Sequence, residues 1–169
     1  MDIKLRKFKV EDIPYKVKWI NDSENNQYLH YDLPLEEGKT LAWFNSIKTR
    51  SDRADYTITC NDEPVGIIGL LDIDENNKKA EYYITLGATR LKGKGVATIA
   101  TDLLIKKSYK EFGLKEIYLY TEVENIQAQK FFEKNSFKKI KILKNDLFYN
   151  ERYIDRYLYH LDVVNYIGE

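Results

Sequence analysis

The chain has 169 residues, with 27 acidic and 27 basic side chains and a single cysteine. That length suits one domain with its own core, and the balanced charge gives no electrostatic pull toward nucleic acid or a membrane surface. No run of about 18 apolar residues is present, the Met1-Asp2-Ile3-Lys4 start lacks the apolar stretch of a signal peptide, and Cys60 has no partner for an internal disulfide, so the expected compartment is a reducing cytoplasm.

Ile3 to Phe8 alternates apolar and basic residues, which predicts a half-buried strand. Asp12 before Ile13-Pro14 signals a helix start, with Val17 and Ile20 facing inward and an end near Asn21-Asp22. Residues 23–35 show no period and read as a loop with room for a helical turn. Leu35 to Arg50 reads as a second helix, with Leu41, Phe44 and Ile47 on its inner side. From Tyr56 the period changes to two: strands over Tyr56 to Cys60, Val65 to Ile73 and Ala80 to Leu86 are separated by turn residues at Asn61-Asp62-Glu63-Pro64 and Asn76-Asn77. A long helix follows from Val96 to Phe112, with Ile99, Leu103 and Leu104 as its stripe and Gly113 as its stop. Ile117 to Val123 is a strand that arrives after a helix, hence parallel to the strand before it. Asn125 caps a short helix with Ala128, Phe131 and Phe132 inside, and Phe137 to Leu143 with Arg152 to Leu161 closes the chain as a hairpin. No linker, repeat or low-complexity tract divides the chain, so residues 1–169 are expected to form one domain.

The most informative stretch joins the third of those internal strands to the long helix: Arg90-Leu91-Lys92-Gly93-Lys94-Gly95-Val96-Ala97. A glycine-rich turn opening a helix offers free backbone N–H groups at the positive end of the helix dipole, a cradle for an anion such as a cofactor phosphate. The alternative is an ordinary strand-to-helix turn. A Walker A loop does not fit, because five residues separate Gly87 from Gly93-Lys94 and Gly95 stands where the magnesium-binding hydroxyl belongs. A dinucleotide fingerprint does not fit either, since Thr98 occupies the place of its third glycine.

The element order, with Arg-x-x-Gly-x-Gly-Val-Ala at the head of the long helix, resembles the GNAT acetyltransferase superfamily. The segment Asn125-Ile-Gln-Ala128-Gln-Lys-Phe131-Phe132-Glu133-Lys134-Asn-Ser-Phe137 looks like the second motif of that superfamily. Trp19 with Asn21-Asp22 near the start, and Tyr149 to Asp155 near the end, resemble the branch that includes ribosomal-protein N-terminal, polyamine and amino-sugar-nucleotide acetyltransferases. The resemblance implies an α+β fold: a mostly antiparallel sheet of about seven strands with one splayed parallel pair, flanked by about four helices.

It also implies acetyl-CoA as cosubstrate, with no metal. The pantetheine arm would add to the exposed backbone of Ile84, Thr85 and Leu86. The diphosphate would rest on Arg90, Leu91, Lys92, Gly93, Lys94, Gly95, Val96 and Ala97, where Lys92 and Lys94 either reach the phosphates or stay solvated. Asn125, Ala128 and Phe132 would border the pantetheine. The implied reaction is direct attack of a primary amine on the thioester. An alkyl ammonium has a pKa of about 10, so a base is useful. Glu81 is the candidate base and Glu122 the alternative. The superfamily's proton-donating tyrosine aligns with Phe132, which has no hydroxyl, so Tyr120 or water takes that role or the thiolate leaves unassisted. Ser136 replaces a glycine of the second motif. Trp19, His30, Tyr31 and Tyr83 are the candidate acceptor-binding residues, each with a plain structural reading as well, and Asp32, Glu36 and Glu37 would suit a cationic acceptor. The acceptor is a small-molecule amine, an amino-sugar nucleotide or a polyamine first. A protein N-terminus is the alternative acceptor, and a catalytically silent acyl-CoA-binding module the alternative function. A homodimer is the candidate assembly.

Overall fold

A computed structural model describes residues 1–168. Seven strands form one sheet in the order β1-β2-β3-β4-β5-β7-β6. They are β1 (Ile3–Lys7), β2 (Ala54–Cys60), β3 (Glu63–Asp74), β4 (Lys79–Leu86), β5 (Glu116–Glu122), β6 (Lys138–Tyr149) and β7 (Arg152–Asp162). The helices are α1 (Ile13–Asn21), α2 (Ser23–Asn26), α3 (Glu37–Ile47), α4 (Val96–Phe112), α5 (Ile126–Lys134) and α6 (Val163–Gly168). The α+β class, the mostly antiparallel sheet and its single parallel pair are those expected; α2 and α6 come in addition to the four helices anticipated. The chain forms two compact units, and β4 and α4 each contribute one half to either unit.

The first unit holds Met1–Ile73 and Tyr83–Leu104. Strands β1 and β2 pair antiparallel from Ile3↔Cys60 to Lys7↔Tyr56, and β2 pairs antiparallel with β3. Ile20, Ile58, Val65, Ile68 and Leu70 are fully buried, and each such side chain contributes about 1.5–3 kcal/mol by leaving water. Asp12 precedes α1, but its carboxylate makes no cap bond to that helix. Instead it accepts from Arg6 at 2.7 and 2.8 Å, from the Lys9 N–H at 3.0 Å and from the Thr57 hydroxyl at 2.7 Å, tying the start of α1 to β1 and β2. Burial pushes the Asp12 carboxyl up, yet these donors together hold it below the ordinary carboxylate range. In α3 the expected inner residue Leu41 is exposed, while Thr40 and Ile47 are buried.

The second unit holds Asp74–Tyr82 and Ile105–Glu169, of which residue 169 lies outside the described part. Here β4 and β5 run parallel, with Lys79↔Glu116, Ala80↔Ile117 and Glu81↔Tyr118 in register. Strand β7 pairs antiparallel with both β5 and β6. Helix α4 buries Val96, Ala100, Thr101 and Leu104 in the first unit and Ile105 and Ser108 in the second; Ile99, read as part of the stripe, is exposed. Spacings of three and four select that face, and Ile99 falls just outside it.

Candidate functional site

Within the first unit, β4 leads directly into the glycine-rich turn. The N–H groups of Gly87 and Ala88 both donate to the Val65 carbonyl, at 2.9 and 3.0 Å, which fixes where the turn leaves the sheet. A short 3-10 turn spans Thr89–Leu91 and buries Leu91. The N–H groups of Leu91, Lys92 and Lys94 are used inside this turn, donating to Ala88, Thr89 and Leu91 carbonyls. Those three residues of the expected cradle therefore have their amides committed. Gly93 and Gly95 adopt φ of +78° and +83°, the left-handed region that glycine enters without steric cost. The Gly95 carbonyl accepts the first bond of α4, from the Ile99 N–H at 3.1 Å. The amides of Val96, Ala97 and Thr98 thus begin a 17-residue helix with no intrahelical acceptor. Apart from the adjoining residues of the chain, no heavy atom among the described residues lies within 4 Å of where a Cβ would stand on Gly93 or Gly95. Open space, free amides and a helix dipole together fit a phosphate.

Two of the three charged side chains of the turn, Lys92 and Arg90, have protein partners. Lys92 Nζ donates to Asn25 Oδ1 at 2.9 Å and to the Glu24 carbonyl at 3.3 Å, so it secures α2 to the turn. Arg90 pairs with Glu63 at 3.6 Å, both exposed. Asn25 Nδ2 also donates to the carbonyls of Trp19 and Gly87, at 3.1 and 3.2 Å. Asn25 was absent from the sequence-derived residues because an amide in an aperiodic loop carries no local signal. Beside the turn lies a groove of about 600 Å³, lined by α1 (Tyr15, Lys18, Trp19), Glu63 and Pro64, and Gly87 to Arg90.

Of the expected acceptor residues of this unit, three lie together: Tyr83 packs against the cluster that holds Trp19, and Tyr31 is near enough to Tyr83 to raise its hydroxyl pKa. Trp19 is buried in a cluster with Phe8, Ile13 and Ile67, and its ring fills the space beside Gly87 that a Cβ would need. His30 is exposed. Tyr31 borders the Lys16 ammonium, which sits 5.7 Å from its ring centre and 3.4 Å from that of Trp43. Tyr83 donates its hydroxyl to Asp55. Lys16 is 6% exposed, and burial pulls its ammonium down to about 8. The sequence carried a signal for this: Lys16 lies three residues after Ile13 and three before Trp19, on the apolar side of α1.

In the second unit, Glu81 and Tyr118 are register partners on neighbouring strands, and alternation places Tyr120 and Glu122 on the same face as Tyr118. The Tyr118 and Tyr120 rings meet edge to face, 5.9 Å apart, and the Arg156 guanidinium stands 4.6 Å over Tyr120. Glu122 is buried, with Arg152 Nη2 at 3.8 Å. Asn125 Oδ1 accepts from the Ala128 N–H at 3.2 Å, the expected cap of α5. Phe132 belongs to an aromatic core with Tyr82, Phe137 and Tyr159, at ring separations of 5.9, 5.8 and 6.1 Å. Ser136, at the second motif's glycine position, adopts φ of +75°. The backbone geometry of a glycine is thus retained with a side chain present.

Residues 2–138 match the family model described as "Acetyltransferase (GNAT) domain". The chain belongs to the GNAT acetyltransferase family. A spermidine N(1)-acetyltransferase of Escherichia coli K12 is 27% identical over 153 residues, covering 89% of this chain and 81% of that protein. An uncharacterized N-acetyltransferase p20 of Bacillus licheniformis is 27% identical over 97% of this chain and 94% of its own length. Among solved structures, a Vibrio cholerae spermidine N-acetyltransferase in complex with CoA and spermine superimposes with a TM-score of 0.88 at 22% identity, covering 98% of both chains. This protein is accordingly an acetyl-CoA-dependent N-acetyltransferase. Among the described residues, no group of three or more His, Cys, Asp or Glu is arranged to hold a metal ion, and no helix is long and apolar enough to cross a membrane.

Proposed function

We propose that this acetyltransferase acts on a primary amine of a polyamine. The observation that carries the proposal is the face on which the Glu81 and Glu122 carboxylates flank the adjoining rings of Tyr118 and Tyr120, a face that already carries the Arg156 guanidinium over Tyr120 and Arg152 beside Glu122. Carboxylates attract a polycation, and ring faces stabilise an alkylammonium by about 0.5–2 kcal/mol each. The relatives named as spermidine acetyltransferases favour the same substrate class over an amino-sugar nucleotide or a protein N-terminus.

Acetyl-CoA, when bound, supplies an activated acyl group on a good leaving group. The residues proposed to hold it are Gly93, Gly95, Val96, Ala97 and Thr98 for the diphosphate and Ile84 to Leu86 for the arm. Glu81 takes a proton from the acceptor ammonium, freeing the lone pair that forms the new N–C bond; as the C–S bond breaks, the nitrogen releases its second proton to solvent. A thiol with a pKa of about 8–9 leaves readily at neutral pH. Tyr120, two residues beyond the partner of Glu81, is the proposed donor of the proton that the sulfur regains. Phe132 has no hydroxyl and contributes packing.

Phe132 also supports a second reading, an acyl-CoA-binding module without turnover. Thiol release separates the two. Purified protein is assayed with acetyl-CoA and, in turn, spermidine, spermine, an amino-sugar nucleotide and a peptide with a free N-terminus. Release with the polyamines, together with their monoacetylated products by mass spectrometry, is expected. Turnover confined to another amine would overturn the substrate, and acetyl-CoA binding without release from any amine would favour the module.

A further inference from the structure

Tyr83 stands one residue before the stretch proposed to receive the acyl-CoA arm, and its side chain is held from two directions. Its hydroxyl donates to Asp55 Oδ1. Its ring occupies the space beside Gly69 on β3: a Cβ there would lie 2.6 Å from Tyr83 Cε1 and 2.8 Å from the hydroxyl. The Asp55 carboxylate is itself locked, with a side chain 7% exposed. It accepts from Arg53 Nε and Nη2, both at 2.8 Å, while its backbone carbonyl accepts from the Phe8 N–H at 2.9 Å. Arg53 in turn lies 5.4 Å from the Trp43 ring centre, on which the Lys16 ammonium also rests. At the other end of the stretch, Gly87 is pressed by the Trp19 ring and bonded to Val65. The segment Ile84–Leu86 is therefore anchored on both sides by contacts within one unit.

A buried, charge-assisted carboxylate with two guanidinium bonds is an expensive way to hold one phenol if packing alone mattered. A fixed direction for the backbone N–H and C=O groups of the next residues explains it, because misplacement of such groups by about 1 Å costs up to about a hundredfold in rate. We infer that Asp55 is a positioning residue: through the Tyr83 hydroxyl it sets the course of Ile84–Leu86 against the acyl-CoA arm. This rests on the acetyl-CoA reading of β4 given above. It also reassigns Tyr83, whose hydroxyl is engaged with Asp55, from acceptor binding to support of the strand.

The test is steady-state thiol release by the full chain, varying acetyl-CoA and the acceptor amine separately, for Tyr83→Phe, Asp55→Ala and Asp55→Asn. Tyr83→Phe keeps the ring over Gly69 and removes only the hydroxyl, with its bond to Asp55 and its contact with Arg53. Expected are a rise of about tenfold in the KM for acetyl-CoA with the acceptor KM unchanged, the same rise in Asp55→Ala, and partial recovery in Asp55→Asn, which still offers an acceptor. Should Tyr83→Phe fail to fold, Asp55→Ala decides alone. A folded variant with the acetyl-CoA KM within about twofold of wild type overturns the inference, as does an equal rise in both KM values, which would mean general loosening. Failure of the underlying reading shows differently, as absent thiol release in the wild type. The dissociation constant for acetyl-CoA by calorimetry then serves as the readout, and an identical constant in wild type and Tyr83→Phe overturns the inference.

Discussion

Gly95→Asp bears most directly on the anion cradle. Gly95 has φ of +83° and is exposed, with open space where a Cβ would stand. A side chain there clashes with nothing, but it must adopt a left-handed backbone that costs a non-glycine residue about 1–2 kcal/mol. In a chain of this size that lowers Tm by roughly 2–8 °C, so the variant remains folded. The new carboxylate stands beside the free amides that open α4. Two unit charges about 4 Å apart repel by about 1 kcal/mol in water and about 4 kcal/mol in a partly buried setting. An exposed turn meeting a diphosphate falls between, at about 1–3 kcal/mol, or a rise of about 5- to 150-fold in the KM for acetyl-CoA. Gly95→Ala carries the backbone strain without the charge, so it should lose similar stability with a smaller KM change. The assay is initial-rate thiol release at varied acetyl-CoA, at low and high salt, alongside thermal melts. Salt should shrink the difference between the two variants. A folded Gly95→Asp with wild-type KM would refute the cradle.

Three further outcomes follow from particular side chains. The Lys16 ammonium has its pKa drawn from 10.5 to about 8 by burial. Its protonated form therefore costs stability in full below pH 8, and that cost disappears as pH rises toward 10.5. Lys16→Met should be more stable than wild type at pH 7 by up to about 3 kcal/mol, less the lost contact with Trp43, and the gap should close by pH 10; a gap that stays constant across that range in denaturant titrations would contradict the assignment. The Tyr159 hydroxyl is buried and has no hydrogen-bond partner among the described residues. Tyr159→Phe should accordingly be neutral or stabilise by about 1 kcal/mol, and a loss of similar size would reveal a partner. Ser136 holds φ of +75°, so Ser136→Gly should gain about 0.5–1 kcal/mol as strain relief exceeds the added freedom of the unfolded chain; a lower melting temperature would show that the serine side chain contributes a contact there.

The succession of elements and the parallel pair were readable in the sequence because period-two alternation, turn residues and one intervening helix leave few topologies, whereas the place of β7 between β5 and β6 was not. The glycine turn was readable because positive φ and an open helix start require Gly93 and Gly95, which the structure places at +78° and +83°. Which amides of that turn stay free was not: Leu91, Lys92 and Lys94 donate within it, and no pattern of residue types announces a short 3-10 turn. Exposure of Leu41 and Ile99 also escaped the reading, since helical spacing alone leaves the centre of the buried face uncertain by about one residue position. Lys92, read as either a phosphate ligand or a solvated side chain, reaches Asn25 across 67 positions of sequence, a contact no local pattern announces. The Arg53–Asp55–Tyr83 arrangement depends likewise on strands β2 and β4 being brought together, which only the tertiary structure supplies.

The most direct test of the cradle is an amide-resolved NMR titration of the wild-type protein with acetyl-CoA. Saturable shifts at Gly93, Gly95, Val96, Ala97 and Thr98, reproduced in part by CoA and lost in Gly95→Asp, are the predicted result. Binding of acetyl-CoA that leaves those five amides unmoved would contradict it.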